Sequence, residues 1–417
     1  NNSTPAIVYW GKKLGEEVDL RQMDTTACYD LAGGMIDAVI PIDIFPQGGN
    51  SFAGQAGLKI RSKIGTKIYP RFRSCSIEST NSKFSCIVSD DELGLIYNAS
   101  FWVDVCSDVI VSSAELNSKE PVIVDWFSAP VIPIDDFALG FVEFSGRWIR
   151  ELQMNHVQWM PGARVRDNPT GRSGHEHFPA VFVINQDSNN NSGKAYGLHY
   201  GWSGGHKMVA EELPDGRRQI QMGHASGSYR EANVSFKTAP LYMAYGDYGL
   251  NSVSTQFQKF LSGQLKLKPT SKKPRPIHYN CWEAIYFKHS LERLKELAQK
   301  AAEIGAERFV LDDGWFGKRN NDKTSLGDWN VDYEKYPNGL SPLIDHIKDL
   351  GLDFGIWFEP EMVNNQSTLF TNHPDWILGS SDQNLGRNQL VLDMSKPEVI
   401  DYLFNSIIEI LSKYQVD

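Results

Sequence analysis

The sequence has little of what would place it in several common classes of protein. Its five cysteines are widely spaced and form no Cys-x-x-Cys pair, so neither a disulfide framework nor a cysteine zinc site is expected. No apolar run approaches the ~18 residues that a membrane-spanning helix needs. Basic residues are outnumbered 41 to 51 by acidic ones, and the net charge of −10 argues against a nucleic-acid binder. These absences favour a large, aromatic-rich globular protein.

Several catalytic and cofactor motifs are missing as well. The chain has no Gly-x-Ser-x-Gly elbow and no His-Glu-x-x-His helix. Neither Gly33-Gly34 nor Gly48-Gly49 precedes a helical pattern that could present its N-terminus to a phosphate. His175 and His177 could lie on one side of a strand, but no third ligand is near, which favours a structural pair over a metal site. We therefore expect no metal and no cofactor.

The first two thirds of the chain have the pattern of an all-β domain. Short runs rich in β-branched and aromatic residues alternate with turn signals, and residues 101–111 are one such run. Residues 178–184 and 195–202 are separated by a polar stretch, which predicts a hairpin with a long loop. The spacing of these runs predicts a large antiparallel β-sandwich, the N-terminal domain, over residues 1–264.

The pattern changes after a predicted linker at residues 265–276, which hold three prolines and five basic residues. Beyond it, strand-like and helix-like periods alternate. Buried strands are predicted at 278–285, 308–311 and 352–358. Because strand–helix repeats with buried strands are typical of parallel sheets, we predict the first part of a (β/α)8 barrel over residues 277–417.

The helices of this region have recognisable ends. The first is predicted over residues 290–304 from its apolar stripe. The second is predicted to begin with Ser341 as the N-cap and Pro342 as the first helical residue. The last is predicted to begin with a capping box formed by Ser395 and Glu398.

Acidic and aromatic residues cluster where the three predicted strands end, at residues 282–283, 312–316 and 357–361. In a barrel these ends meet at the face that carries the active site. Aromatic rings stack on the C–H face of a sugar while carboxylates accept from its hydroxyls, so the pattern favours a carbohydrate substrate. A single tryptophan or aspartate at a strand end is more often a packing or capping residue, so the hypothesis depends on the combination. Since Asp312 and Asp313 are adjacent, we expect at most one to point fully inward.

The ordered motifs of the second region resemble glycoside hydrolase family 36. The resemblance covers residues 278–417 closely, and it implies a β-supersandwich followed by a (β/α)8 barrel and a C-terminal β-domain. Members are mainly retaining α-galactosidases. The motifs that carry the resemblance are NCWEA at 280–284, FVLDDGWF at 309–316, GDW at 327–329, GIWFEPEM at 355–362 and, in the first region, GRSGHEH at 171–177.

The resemblance also implies roles for individual residues. Asp312 and Asp313 are similar to the pair that holds the galactose C4 and C6 hydroxyls. Trp282 and Trp357 are similar to the aromatic walls of that subsite, and Arg387 to a family arginine near the sugar. The family's nucleophile is the aspartate of a Lys-Trp-Asp motif on the fourth strand, and its acid/base is a later aspartate. The sequence stops before both, so we expect no catalytic residue and no turnover from this chain alone.

The resulting expectation is an α-galactosidase that removes terminal α-D-galactosyl residues from oligosaccharides by double displacement, with this chain as its sugar-recognition part. The alternatives are an α-N-acetylgalactosaminidase of the same family and a non-catalytic carbohydrate-binding protein. The expected partners are α-galactoside oligosaccharides, not nucleic acid or a membrane. A homo-oligomer stays open, since the loop at 46–52 lacks the aspartate that many tetrameric members insert into a neighbouring active site. The expected compartment is the cytoplasm, with a periplasmic or secreted location as the alternative.

Overall fold

The computed structural model describes residues 4–19, 21–23, 39–136, 138–265 and 274–417. The chain divides into two compact units, Asn1–Lys266 and Leu267–Asp417. Most of the linker predicted at 265–276 lies outside the described residues. Among the described helices, none is both long enough and apolar enough to cross a membrane.

The first unit consists mainly of β-strands, and the helix α1 (Gly249–Gln264) follows its last strand. A 3-10 turn, Gly48–Asn50, precedes the strands. The strands are β1 (Leu58–Ser62), β2 (Lys67–Ile68), β3 (Ser74–Ser79), β4 (Lys83–Asp90), β5 (Leu95–Asp104), β6 (Val109–Phe127), β7 (Ile132–Ile134), β8 (Ala138–Arg147), β9 (Arg150–Gln158), β10 (Gly162–Asn168), β11 (Ala180–Asn185), β12 (Ala195–Tyr200), β13 (His206–Glu212), β14 (Arg218–His224), β15 (Asn233–Lys237) and β16 (Leu241–Gly246).

These strands form two antiparallel sheets that share a core. The larger sheet has 12 strands and follows the order β3-β4-β5-β6-β16-β12-β11-β8-β9, with β1 and β15 also paired to β6 and β2 paired to β1. The smaller sheet has the order β10-β13-β14-β7. Buried side chains of both sheets, such as Phe141 and Leu198 of the larger and Met208 and Ile220 of the smaller, belong to one apolar cluster. The predicted antiparallel β-sandwich is therefore confirmed.

Local pairing agrees with the prediction in one place and corrects it in another. The hairpin with the long loop is present as β11 and β12, with Val181 opposite Leu198. The run at 101–111 is not one strand, because it contains the end of β5, a turn and the start of β6. Asp104 accepts a hydrogen bond from the backbone N–H of Ser107 at 3.1 Å, and Asp108 has a φ of +61°. These turn contacts interrupt the apolar run and reverse the chain.

The second unit alternates strands and helices. A short 3-10 turn is present at Pro374–Trp376. The elements in chain order are β17 (His278–Asn280), α2 (Trp282–Ile285), α3 (Leu291–Glu303), β18 (Arg308–Leu311), α4 (Ser341–Asp349), β19 (Asp353–Ile356), β20 (Met362–Val363), α5 (Thr368–Asn372), β21 (Leu390–Val391) and α6 (Pro397–Lys413).

Strands β17, β18 and β19 form a parallel sheet in that order. Phe309 and Phe354 are fully buried and pack with the apolar faces of α3, α4 and α6 in one core. This is the predicted first part of a (β/α)8 barrel, and the fold class is confirmed. Because the strands are parallel, the segments that follow β17, β18 and β19 leave the sheet at one edge.

The first of these strands is shorter than predicted. The sequence predicts a strand over 278–285, but β17 ends at Asn280, and Trp282–Ile285 form the helical turn α2. The Oδ1 atom of Asn280 accepts from the backbone N–H of Trp282 at 2.8 Å. This local side-chain bond accompanies the end of the strand, and residues 282–285 are helical, so the prediction was wrong beyond Asn280.

The sequence predicts serine caps at Ser341 and Ser395, and neither is present, whereas a serine not predicted as a cap does cap its helix. Ser290 caps α3 by accepting from the backbone N–H of Arg293 at 3.2 Å. Ser341 is the first residue of α4 and makes no side-chain cap bond. The capping box at Ser395 is also absent, because α6 begins later and the Ser395 hydroxyl donates to Asp393 at 2.6 Å. A nearby carboxylate thus takes the hydroxyl that the cap would have used.

Candidate active site

The carboxyl edge of the parallel sheet is tied together by backbone bonds between neighbouring strand ends. The backbone N–H of Cys281 donates to the carbonyl of Val310 at 3.2 Å, and that of Trp357 donates to the carbonyl of Leu311 at 2.9 Å. The segments that follow the three strands therefore start side by side. Four predicted sugar-binding residues, Trp282, Asp312, Asp313 and Trp357, lie in these segments.

Asp312 lies at the junction of β17 and β18. Its carboxylate accepts from the side-chain amide of Asn280 and from the backbone N–H of Asp313, the latter at 2.7 Å. Asp312 is 8% exposed and Asp313 is 2% exposed. Both carboxylates are therefore buried, although the sequence predicts that at most one of them points fully inward. The chain leaves the strand after Leu311 and turns at Gly314, where φ is +115°, so strand alternation no longer applies.

Asp313 is held by a buried arginine that no sequence motif indicated. Arg319 donates from Nε to Oδ1 at 2.9 Å and from Nη2 to Oδ2 at 2.8 Å, and its own side chain is inaccessible to solvent. Its Nη1 donates to the carbonyl of Thr324 and to Oδ1 of Asn364. The two-pronged contact and the additional acceptors offset the cost of removing both charges from water. Both carboxylate oxygens of Asp313 are fixed in direction as a result.

The two predicted tryptophans are half-buried and braced by other rings. Trp357 stacks on Phe316 with centroids 6.3 Å apart and planes 18° apart, and it contacts the edge of Trp329 at 6.2 Å. Trp282 contacts Phe287 at 5.0 Å in an edge-to-face arrangement. Each indole therefore has a fixed orientation and part of its ring is accessible, as an aromatic wall requires.

Arg387 is carried by a tight turn, Gly386 to Gln389, in which the N–H of Gln389 donates to the carbonyl of Gly386 at 3.0 Å. Arg387 and Asn388 both have positive φ, +53° and +60°. Two successive residues with positive φ define a type I′ turn, in which arginine is uncommon. The structure brings Arg387 to the end of β19, where Nη1 lies 3.5 Å from Oε1 of Glu359.

The two glutamates after β19 have different surroundings. Glu359 accepts from Nε2 of Gln389 at 3.1 Å and faces Arg387, while Glu361 is exposed. Burial raises the pKa of the Glu359 carboxyl, and the charge of Arg387 opposes that rise. A carboxyl that is engaged by an arginine and a glutamine is suited to holding those groups in place.

The histidine pair of the first unit lies elsewhere in its fold than predicted. His175 and His177 belong to the loop between β10 and β11, so they do not share one side of a strand. Nδ1 of His177 lies 3.1 Å from Nη2 of Arg166. Over the part of the chain that the structure describes, no group of three or more His, Cys, Asp or Glu side chains is arranged to hold a metal ion.

Comparisons with known proteins identify the family to which the chain belongs. Residues 3–228 match the glycosyl hydrolase family 36 N-terminal domain, and residues 235–417 match the family described as Melibiase. The first match alone covers more than half of the chain. The chain belongs to glycoside hydrolase family 36, and the resemblance seen in its motifs is confirmed.

Individual relatives have the same assignment. The chain is 35% identical over 423 residues to an α-galactosidase of Escherichia coli, and the alignment covers 99% of this chain and 58% of the relative. It is 33% identical over 333 residues to the α-galactosidase AgaA of Geobacillus stearothermophilus, which covers 78% of this chain and 46% of the relative. The chain thus spans about half the length of these curated relatives.

Solved structures agree with the fold over the whole chain. The crystal structure of AgaA from Geobacillus stearothermophilus aligns with a TM-score of 0.89 at 28% identity, over 100% of this chain and 62% of that one. The galactosidase domain of AgaSK aligns with a TM-score of 0.86 at 25% identity, over 98% and 61%. AgaA variants have been solved in complex with raffinose and with stachyose.

Proposed function

We propose that this chain forms the sugar-recognition part of a retaining α-galactosidase, which hydrolyses terminal α-D-galactosyl residues of oligosaccharides. The observation that carries the proposal is the convergence of two buried aspartates and two braced tryptophans at one edge of the parallel sheet. Membership of glycoside hydrolase family 36 and the similarity to named α-galactosidases support the choice of reaction. The complexes of AgaA variants with raffinose and stachyose support α-galactoside oligosaccharides as substrates.

In this proposal, Asp312 and Asp313 accept hydrogen bonds from the galactose C4 and C6 hydroxyls. Each oxygen of Asp313 has one partner on Arg319, and a carboxylate oxygen has lone pairs for a second donor. Because the carboxylate is already oriented, little freedom is lost when the sugar binds. Charge-assisted bonds to hydroxyls in such a dry environment are stronger than neutral ones in water.

Trp282 and Trp357 contact the apolar faces of the sugar, and Arg387 donates to it from the turn at the end of β19. The hydrolysis itself is a double displacement, which needs two carboxyls about 5–5.5 Å apart, one as nucleophile and one as acid/base. Asp313 is paired with Arg319, and Glu359 with Arg387 and Gln389. We therefore give these carboxyls binding and positioning roles and assign neither displacement step to them.

The cytoplasm is the compartment that we propose. The cysteines at 75, 86, 106 and 281 are all free thiols, as is usual for proteins in a reducing compartment. A homo-oligomer stays a prediction, and light scattering would measure the oligomeric state.

The experiment is a substrate comparison with the complete protein, produced from its own reading frame. We expect turnover of p-nitrophenyl α-galactoside, release of α-galactose as the first anomer seen by proton NMR, and little turnover of the 2-acetamido analogue. Preference for the 2-acetamido sugar would instead identify an α-N-acetylgalactosaminidase. Binding of galactose without turnover of either glycoside would identify a carbohydrate-binding protein.

A further inference from the structure

We propose that Asn364 is a positioning residue for Arg387. Its side-chain amide ties the turn that carries Arg387 to the buried arginine that holds Asp313. The proposal rests on the proposed function, since Arg387 and Asp313 contact sugar only if that function is correct. It assigns a role to a residue that belongs to none of the strand-end motifs.

All hydrogen-bonding positions of the Asn364 side chain are used within the protein. Oδ1 accepts from Nη1 of Arg319 at 2.7 Å and from the backbone N–H of Leu326 at 3.1 Å. Nδ2 donates to the carbonyl of Asp322 at 3.1 Å and to the carbonyl of Asn388 at 2.7 Å. Asn364 is inaccessible to solvent. With both amide hydrogens and both acceptor positions engaged, the side chain can act on a ligand only through its neighbours.

The turn from Gly386 to Gln389 needs such support. Arg387 and Asn388 occupy the left-handed region, which is disfavoured for residues with a Cβ atom, and Arg387 is exposed. The carbonyl of Asn388 accepts from Asn364, and the side chain of Asn388 donates to Oδ2 of Asp322 at 3.0 Å. The tether through Asn364 leads into the buried interior, whereas the Asp322 contact is exposed.

A continuous path of hydrogen bonds therefore joins two proposed sugar ligands. It runs from Asp313 to Arg319, from Arg319 to Asn364, and from Asn364 to the backbone of the turn. The path fixes the position of the backbone that carries the Arg387 guanidinium relative to the Asp313 carboxylate. A sugar that contacts both groups depends on that spacing.

Replacement of Asn364 by aspartate breaks this path at the turn while keeping the contact with Arg319. The Asn364→Asp side chain keeps an oxygen that accepts from Arg319 and loses the amide hydrogens that hold the turn. It also places a carboxylate oxygen against the carbonyl of Asn388, which repels it. The matched control is Asn365→Asp, which adds the same charge at the exposed neighbouring residue. Each change is made in the complete protein, with and without Arg387→Ala.

We expect Asn364→Asp to raise KM for p-nitrophenyl α-galactoside about five- to tenfold, the effect of one buried hydrogen bond. In the Arg387→Ala background the same change should raise KM less than about twofold, since coupled residues are not additive. Asn365→Asp should leave KM unchanged in both backgrounds. Thermal unfolding of every variant verifies that the proteins compared are folded.

Equal effects of Asn364→Asp in the two backgrounds would overturn the positioning role while leaving the proposed function intact. If Arg387→Ala alone leaves KM unchanged, Arg387 is not a sugar ligand, and the positioning role fails for that separate reason. If Asn364→Asp does not fold, Asn364→Ser, which is small and uncharged, replaces it in the same comparison. The loss of its KM effect in the Arg387→Ala background supports the proposal, and an equal effect in both contradicts it.

Discussion

Arg319 donates two hydrogen bonds to Asp313, at 2.9 and 2.8 Å, and the two side chains are 0% and 3% exposed. A pair of opposite charges with so little contact with water depends on both partners being present. The pair also lies beside the carboxylate of Asp312, which is proposed to bind the same sugar. Stability of the second unit and the proposed recognition of the substrate therefore depend on one contact.

Removal of Arg319 should destabilise the protein strongly. Arg319→Met leaves the Asp313 carboxylate buried without its partner, which costs about 3–5 kcal/mol of the free energy of unfolding. Arg319→Lys keeps a charge but cannot form the two-pronged contact, so its loss should be smaller. Urea unfolding of the complete protein measures both. Lys318→Met is the control, because its 3.9 Å ion pair with Glu334 is exposed and should contribute less than ~1 kcal/mol.

Replacement of either aspartate should have a similar effect on KM, but the two replacements should differ in their effect on stability. Asp312→Ala and Asp313→Ala should each raise KM at least about tenfold or abolish turnover, because each loses a charged hydrogen bond to the sugar. Only Asp313→Ala also leaves the buried Arg319 without its carboxylate, so its unfolding midpoint should fall further. Kinetics with p-nitrophenyl α-galactoside and urea unfolding measure the two effects. Unchanged kinetics for either variant would refute the sugar-binding role of that residue.

Much of the second unit could be predicted because the signals are local. The apolar stripe was enough to predict α3, and the buried run at β18 is bounded as predicted. The rule that parallel strands end at one edge was sufficient to bring Trp282, Asp312 and Trp357 together. The errors arose where a side chain forms a local hydrogen bond near an element's end, as Asn280 does with the backbone at the end of β17.

The groups that orient the site were not predictable in the same way. Arg319 and Asn364 are 45 residues apart and lie outside the strand-end motifs. Their contact depends on the paths of two loops, which tertiary hydrogen bonds determine and no periodicity encodes. The one available signal was a basic residue shortly after the acidic pair, and it does not distinguish an exposed lysine such as Lys318 from the buried Arg319.

Loss of the Trp357 ring should weaken substrate binding. Trp357 is half-buried against Phe316 and Trp329, so Trp357→Ala removes both the proposed sugar wall and two ring contacts. We expect KM for p-nitrophenyl α-galactoside to rise about fivefold or more, the effect of one aromatic contact of about 1 kcal/mol. Trp357→Phe should restore most of the affinity. Trp148→Ala, at a 74% exposed tryptophan of the first unit, is the control and should leave KM unchanged.

The buried His289 should make stability depend on pH in the acid range. Its Nδ1 lies 2.7 Å from the Tyr336 hydroxyl, and burial, reinforced by the nearby Lys335 charge, lowers its pKa from 6.5 to about 4. Between these values the unfolded chain takes up a proton at this site and the folded chain does not. Stability is therefore fully present above pH 6.5 and falls as the pH drops toward 4, by up to about 3 kcal/mol from this residue.

The measurement is urea unfolding of the complete protein at pH 7, 5.5 and 4, beside His289→Gln, which has no titrating ring. We expect the wild-type protein to lose more stability between pH 7 and 4 than the variant does, because the variant lacks this proton uptake. His373→Gln is the control, since the ring of His373 is half-buried and stacks on Trp376 at 3.9 Å without a comparable burial. The same pH dependence in wild type and His289→Gln would mean that His289 keeps its ordinary pKa in the folded protein.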